Sequence, residues 1–247
     1  PRSELPRNAK VMSTTWAMKK KTNGKCLGRL NARGYEQLEG MHYHSDSIAA
    51  PVTNPNTIRT VWTLLAMNSQ WVATIIDVEG AFLQGRFTNG EKIHIDVPDG
   101  MEKIYGNRED DVLLMNVPMY GTKQAANCFY QTLVKKVKDR NYIRSKADPC
   151  LYYIWCNGRL AVLLSWVDDI LALGHPEDVK QIVADLQSAF VSKSEGEMKE
   201  YVGNKVDVVR QSDGRAKIKV TQPVLVQKLP DEFEWPGGKT PKTPAVP

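Results

Sequence analysis

Asp168 and Asp169 stand side by side between two apolar runs, with Leu163 and Leu164 ahead of them and Ile170 and Leu171 behind. Adjacent like charges disfavour one another unless a cation or water offsets them. A hard divalent cation does this through oxygen ligands, and Mg2+ typically takes one or two carboxylates plus substrate phosphates. The plain alternative is a solvated turn, since Asp is a common turn residue. A third acid, Asp77, closes the β-rich run 71–77 and so also lies at a strand end. Val78, Glu79, Gly80, Ala81 and Phe82 follow, and the small residues among them permit close backbone approach to a ligand. Lys25, Arg29 and Arg33 form a second chemical group, beside Lys19, Lys20 and Lys21. Arg offers a forked donor set for phosphates, whereas lysines on a hairpin also serve to blunt a sheet edge. His42, Tyr43 and His44 are half of a metal site at most. With no third ligand at recognisable spacing they read as a surface loop.

These side chains need elements to hold them. The runs flanking the acid pair read as two buried strands with the acids at an exposed hairpin tip. Residues 14–21 and 26–35 read as another hairpin about the turn signal Thr22-Asn23-Gly24-Lys25. Asn56 is expected to cap a helix to about residue 69, with Ile58, Val61, Trp62, Leu65 and Ala66 as its buried stripe. Strands are expected over 93–97, 112–117, 151–156 and 160–167, the last two joined by Asn157-Gly158. Helices are expected over 122–140, with cations at its C-terminal end, and over 176–190, with Pro176 at its start. A mixed run around Gly203, a strand near 216–220 and a short helix near 223–229 complete the pattern.

The chain has 247 residues, 42% of them hydrophobic and 25% charged, with a formal net charge of +5. That is ordinary globular composition with a mild basic excess, compatible with a polyanionic partner. Cys26, Cys128, Cys150 and Cys156 show no Cys-x-x-Cys spacing, so reduced, mostly buried thiols in an intracellular protein are expected. No apolar run approaches the roughly 18 residues of a membrane span. Proline-rich ends (Pro1 and Pro6; Pro236, Pro241, Pro244 and Pro247) read as linkers within a larger polyprotein.

Taken in order, Asp77 with Gly-Ala-Phe, Tyr120-Gly121-Thr122-Lys123-Gln124-Ala125, Ser145-Lys146-Ala147-Asp148-Pro149 and Val167-Asp168-Asp169 form an ordered set. That set resembles the reverse transcriptase of Copia-type LTR retrotransposons. Arg29-Leu30-Asn31-Ala32-Arg33-Gly34-Tyr35, Ala50-Pro51-Val52 and Tyr201-Val202-Gly203 extend the resemblance over nearly the whole chain. It implies an α+β right-hand polymerase fold, with an antiparallel palm sheet, fingers, and a partial thumb or connection. The divisions expected are a linker (1–13), fingers with the start of the palm (14–76), palm (77–211, with a fingers insertion at about 85–125), the start of a thumb (212–235) and a linker tail (236–247).

The resemblance implies RNA- and DNA-templated DNA synthesis on a primer from deoxynucleoside triphosphates, with two Mg2+ (or Mn2+) ions per active site. Asp77, Asp168 and Asp169 would be the catalytic and metal-binding acids, with Asp169 ligating less directly. Lys25, Arg29, Arg33, Val78, Gly80, Ala81, Phe82, Tyr120, Gly121 and Lys123 would bind the nucleotide. Phe82 falls where the family has the ring that excludes a 2′-hydroxyl; plain core packing is the other reading of that residue. Gln124, Trp166, Val167, Tyr201, Val202 and Gly203 would face template or primer. Implied partners are an RNA template, a DNA primer-template and the ribonuclease H and integrase of the same polyprotein, in a cytoplasmic virus-like particle or the nucleus, with no membrane contact. The sequence departs from the family at Trp166, which replaces a usual Tyr, at Leu27, at Asn116-Val117-Pro118-Met119, at Ala126-Asn127-Cys128 and at Asn204-Lys205. The competing reading is a catalytically degenerate relic that binds nucleic acid without turnover.

Overall fold

The computed structural model describes residues 1–20, 24–213 and 215–233. In chain order β1 (Val11–Met12) precedes the hairpin β2 (Thr14–Lys20) and β3 (Cys26–Ala32). Helix α1 (Pro55–Met67) leads into β4 (Val72–Val78), and β5 (Ile93–Asp96) and β6 (Val112–Met115) flank a short helix, α2 (Glu102–Tyr105). Helix α3 (Ala125–Lys138) is followed by β7 (Ile143–Arg144), β8 (Leu151–Cys156), β9 (Arg159–Trp166) and β10 (Asp169–Gly174). After α4 (Pro176–Ala189) come β11 (Ser192–Glu197), β12 (Glu200–Tyr201), β13 (Asn204–Arg210), β14 (Ala216–Thr221) and α5 (Pro223–Glu232).

The acids lie on a six-stranded sheet of order β11-β4-β10-β9-β8-β7, every pair antiparallel. Side chains alternate across a strand, and both faces here are apolar. One face carries Ile76, Val78, Ala161, Leu163, Ile170 and Ala172, covered by Phe129, Leu133 and Val137 of α3 and by Val179, Ile182 and Leu186 of α4. The opposite face carries Ala73, Ile75, Val162, Leu164, Leu171 and Leu173, covered by Ile58, Val61 and Leu65 of α1 and by Met198, Tyr201 and Val206. Burial on both sides explains why these strands read as continuous apolar runs. Each fully buried Leu or Ile contributes about 1.5–3 kcal/mol, so the sheet is a rigid base for whatever sits at its end.

Three smaller sheets surround it. β1 pairs parallel to β5, β5 antiparallel to β6, and Met12, Ile93, Ile95 and Met115 close that core. β2 pairs with β3 from Thr14↔Ala32 to Lys20↔Cys26, and β12, β13 and β14 form an antiparallel sheet. Among the described residues no helix is long and apolar enough to cross a membrane.

Several expectations need correction. Residues 1–13 are docked rather than a linker: β1 pairs with β5, and the Arg2 guanidinium donates to Asp96 at 2.5 Å. The cap of α1 is Asn54, whose side chain accepts from the Asn56 N–H at 2.8 Å, with Pro55 at the first helical position. The hairpin signal at Thr22 and Asn23, and the tail 236–247, lie outside the described residues.

Candidate active site

Register places the acids. On β10 and β4, Asp169 is the direct partner of Asp77, one step from the buried pair Ile170 and Ile76. By the two-residue period both carboxylates share the α1 face, where its apolar cover ends. Asp168 follows at the exposed tip of the β9–β10 turn, and its carbonyl accepts from the Val78 N–H at 3.0 Å. Burial, then the Asp168 charge, pushes the Asp77 carboxyl above the usual range, with Glu195 and Glu79 adding to the rise and Lys193 opposing it. Burial followed by Asp168 and Asp77 does the same to Asp169. Three negative charges thus crowd one end of the sheet. An all-oxygen donor set of this kind suits a hard divalent cation. Among the described residues no three His, Cys, Asp or Glu converge tightly enough to hold an ion unaided.

The turn holding Asp168 is strained. Val167 has φ of +52°, a left-handed value uncommon for a β-branched residue. Val202 has φ of +48° and Gly203 φ of +71°, giving the tight turn between β12 and β13 two left-handed residues. Such strain recurs where function fixes the backbone.

A second group assembles beside the acids. Gly80, itself left-handed, turns the chain from β4 into a short 3-10 segment, Ala81–Gln84. Phe82 on that segment is half-buried and meets the Tyr120 ring at 5.2 Å between centroids. The Arg29 guanidinium lies over the same Tyr120 ring at 5.2 Å. The backbones are locked as well: the Ala32 N–H donates to the Tyr120 carbonyl at 2.8 Å, and Gly121 packs directly on the Ala32 and Gly34 backbones. Lys25, Arg29 and Arg33 are all exposed, Lys25 just ahead of β3 and Arg33 just beyond its end.

Other residues expected at the site are occupied elsewhere. Val78 is buried in the core and its N–H is spent on Asp168. Ala81 is also buried. Gln124 is fully buried: its carboxamide accepts from Gln37 at 2.9 Å and donates to the His42 carbonyl at 2.8 Å, so it braces the segment. The Lys123 ammonium donates to the Tyr43 hydroxyl at 2.9 Å and lies over that ring. Tyr201 is buried beneath the sheet with its hydroxyl on the Leu164 carbonyl at 3.3 Å, leaving Val202 and Gly203 at the turn. Trp166 is half-buried directly across from Asp169.

His42 is no surface-loop residue. It is buried, its Nδ1 accepts from the Leu38 N–H at 2.9 Å, and its Nε2 lies 3.2 Å from the Lys10 carbonyl. Both ring nitrogens are engaged, which leaves none for a metal.

Sequence reasoning missed two kinds of residue. Lys193 pairs with Asp77 from β11, with Glu195 nearby, on a wholly polar strand that gives no periodic signal. Asp148 is buried and accepts from the N–H groups of Asn54 and Cys150, both at 2.9 Å, tying the α1 cap to the start of β8 beside Ser165 of β9. The acidic, proline-flanked step at 147–149 marks its position without revealing that role.

Comparison with known proteins adds an independent finding. A family model described as reverse transcriptase (RNA-dependent DNA polymerase) matches residues 3–247. The chain is 29% identical over 248 aligned positions, 98% of its length, to a retrovirus-related Pol polyprotein from transposon TNT 1-94 of Nicotiana tabacum. It is 28% identical over 80% of its length to the Pol polyprotein from transposon RE1 of Arabidopsis thaliana. These Copia-type relatives are far longer: the chain covers 18% of the first and 13% of the second.

Proposed function

The chain belongs to the reverse transcriptase (RNA-dependent DNA polymerase) family, and from that premise we propose that it extends a primer with deoxynucleoside triphosphates on an RNA or DNA template. On this reading the six-stranded sheet is the palm of a right-hand polymerase, the β2–β3 hairpin belongs to its fingers, and β14 with α5 begins a thumb or connection. The observation that carries the reading is the pairing of Asp77 with Asp169, next to Asp168, at one end of the sheet.

Asp77 and Asp168 would hold two Mg2+ or Mn2+ ions, with Asp169 contributing less directly. Bound there, such ions would supply charge stabilisation for in-line displacement at the α-phosphate and would lower the pKa of the attacking hydroxyl. Arg29 and Arg33 present forked donors to the triphosphate from the fingers hairpin, with Lys25 beside them. Gly80 lets the backbone turn tightly at the nucleotide, and Phe82 closes the space that a 2′-hydroxyl would need. Trp166, Val167, Val202 and Gly203 would face the primer end. Other parts of the same polyprotein, ribonuclease H and integrase, are the proposed partners.

Metal binding gives a direct test of this reading. Mn2+ binding to the 247-residue chain is followed by electron paramagnetic resonance, with and without a dideoxy-terminated primer-template and the matching deoxynucleotide. Tight binding is expected only with the nucleotide present and is lost in Asp77→Asn or Asp168→Asn. Mn2+ binding that ignores both substitutions overturns the assignment.

A further inference from the structure

Phe82 is held from two directions. One side rests against the core beneath the sheet, and the other meets Tyr120, 5.2 Å between centroids with ring planes tilted at 53°. That spacing is within the favourable range for an aromatic pair. Tyr120 is itself fixed, because its carbonyl accepts from Ala32 at the end of β3 and the next residue packs on the Ala32 and Gly34 backbones. The far end of the row is Arg29, on the same strand, with its guanidinium over the Tyr120 ring. A phosphate-binding hairpin and a sugar-sensing ring are thereby joined through one intervening side chain.

We propose that Tyr120 is a positioning residue for sugar selection: its ring holds Phe82 at the height that excludes a 2′-hydroxyl, and β3 holds Tyr120. The proposal rests on the reading of Phe82 as the sugar-selecting ring. The contact is made by ring faces and edges, so the phenolic hydroxyl is dispensable. A direct polar contact between Tyr120 and the nucleotide would instead require that hydroxyl.

The test measures binding, so it does not depend on turnover. The whole chain is assembled on a dideoxy-terminated primer-template with Mg2+, and the dissociation constants of dGTP and GTP opposite template cytosine are compared. Phe82→Val should narrow the GTP/dGTP ratio by roughly tenfold or more, and Tyr120→Leu by about three- to tenfold. In Tyr120→Leu the narrowing should come from tighter GTP binding. Tyr120→Phe should retain the wild-type ratio. Melting curves establish folding, and Tyr120→Met takes the same measurement if Tyr120→Leu does not fold. A narrowed ratio in Phe82→Val with an unchanged one in Tyr120→Leu or Tyr120→Met overturns the positioning role alone. Loss of dGTP affinity in Tyr120→Phe overturns it in favour of direct contact. An unchanged ratio in Phe82→Val, or no discrimination by the wild-type chain, removes the gate reading and the proposal with it.

Discussion

Strain at single residues is concentrated in two turns. Val167 and Val202 both adopt left-handed backbone that β-branched side chains resist, one beside Asp168 and the other at the β12–β13 turn. Such residues cost on the order of 1–3 kcal/mol each. Asn tolerates that conformation, and an Asn-Gly pair favours this type of turn. Val202→Asn should therefore stabilise the protein by up to about 1 kcal/mol, because lost burial of the half-exposed valine offsets part of the relief; a lower melting temperature would contradict this account. Close packing makes the opposite demand at Gly121, where φ is +90° and any Cβ would run into the Ala32 carbonyl. Gly121→Ala should cost more than about 1 kcal/mol, read as an earlier denaturant midpoint with unchanged slope. Neither valine is a residue that sequence alone would select for such a turn. The strain became visible only with the backbone, whereas Asp77, Asp168 and Asp169 stood out at once as charges bordering apolar runs.

Among the elements, legibility followed hydrophobic pattern. β8 and β9 were recognisable because both are apolar and Asn157-Gly158 between them supplies two left-handed residues, φ +50° and +78°. Helix α3 was marked by the lysines at its C-terminal end and α4 by Pro176 at its start, and both bury an apolar stripe on the sheet. Strand β11, Ser-Lys-Ser-Glu-Gly-Glu, was illegible because a polar edge strand is specified by its neighbour β4 and not by its own composition. His42 misled for the reverse reason: a polar side chain was read as part of a surface loop, yet it is buried with both ring nitrogens engaged. Within α3, Phe129 is buried with its ring edge-on to Phe190 at 5.7 Å. Phe129→Ala should cost about 3–5 kcal/mol in denaturant unfolding; a loss under about 1 kcal/mol would mean that this helix does not anchor the sheet. At the start of α4, Arg159 of β9 grips Asp178 with two hydrogen bonds of 2.8 Å. That hydrogen bonding holds the Asp178 carboxyl below its usual range. A depressed carboxylate stabilises above its unfolded pKa of about 4 and loses that contribution as pH falls through the lower folded value. Asp178→Asn should therefore melt earlier at neutral pH, and the difference should disappear in acid; a gap independent of pH would exclude the ion pair as its source.

At the scale of the whole molecule, a net charge of +5 and an exposed basic hairpin meet a sheet end bearing three aspartates. On the proposed reading the cations would face a nucleic-acid backbone and the acids would hold metal, so the two surfaces would take different ligands. Primer-template binding should weaken as salt rises, with a linear fall of log affinity against log salt concentration; a flat response would remove the basic surface from the interface. The measurement that bears most directly on the central claim is extension of a labelled primer in Mg2+ by the wild-type chain and by Asp77→Asn and Asp168→Asn. The account predicts extension by the wild type and a loss of roughly a hundredfold or more in each variant, with primer-template affinity nearly unchanged. Extension that survives either substitution, or a wild-type chain that binds the duplex and never extends it, would contradict it.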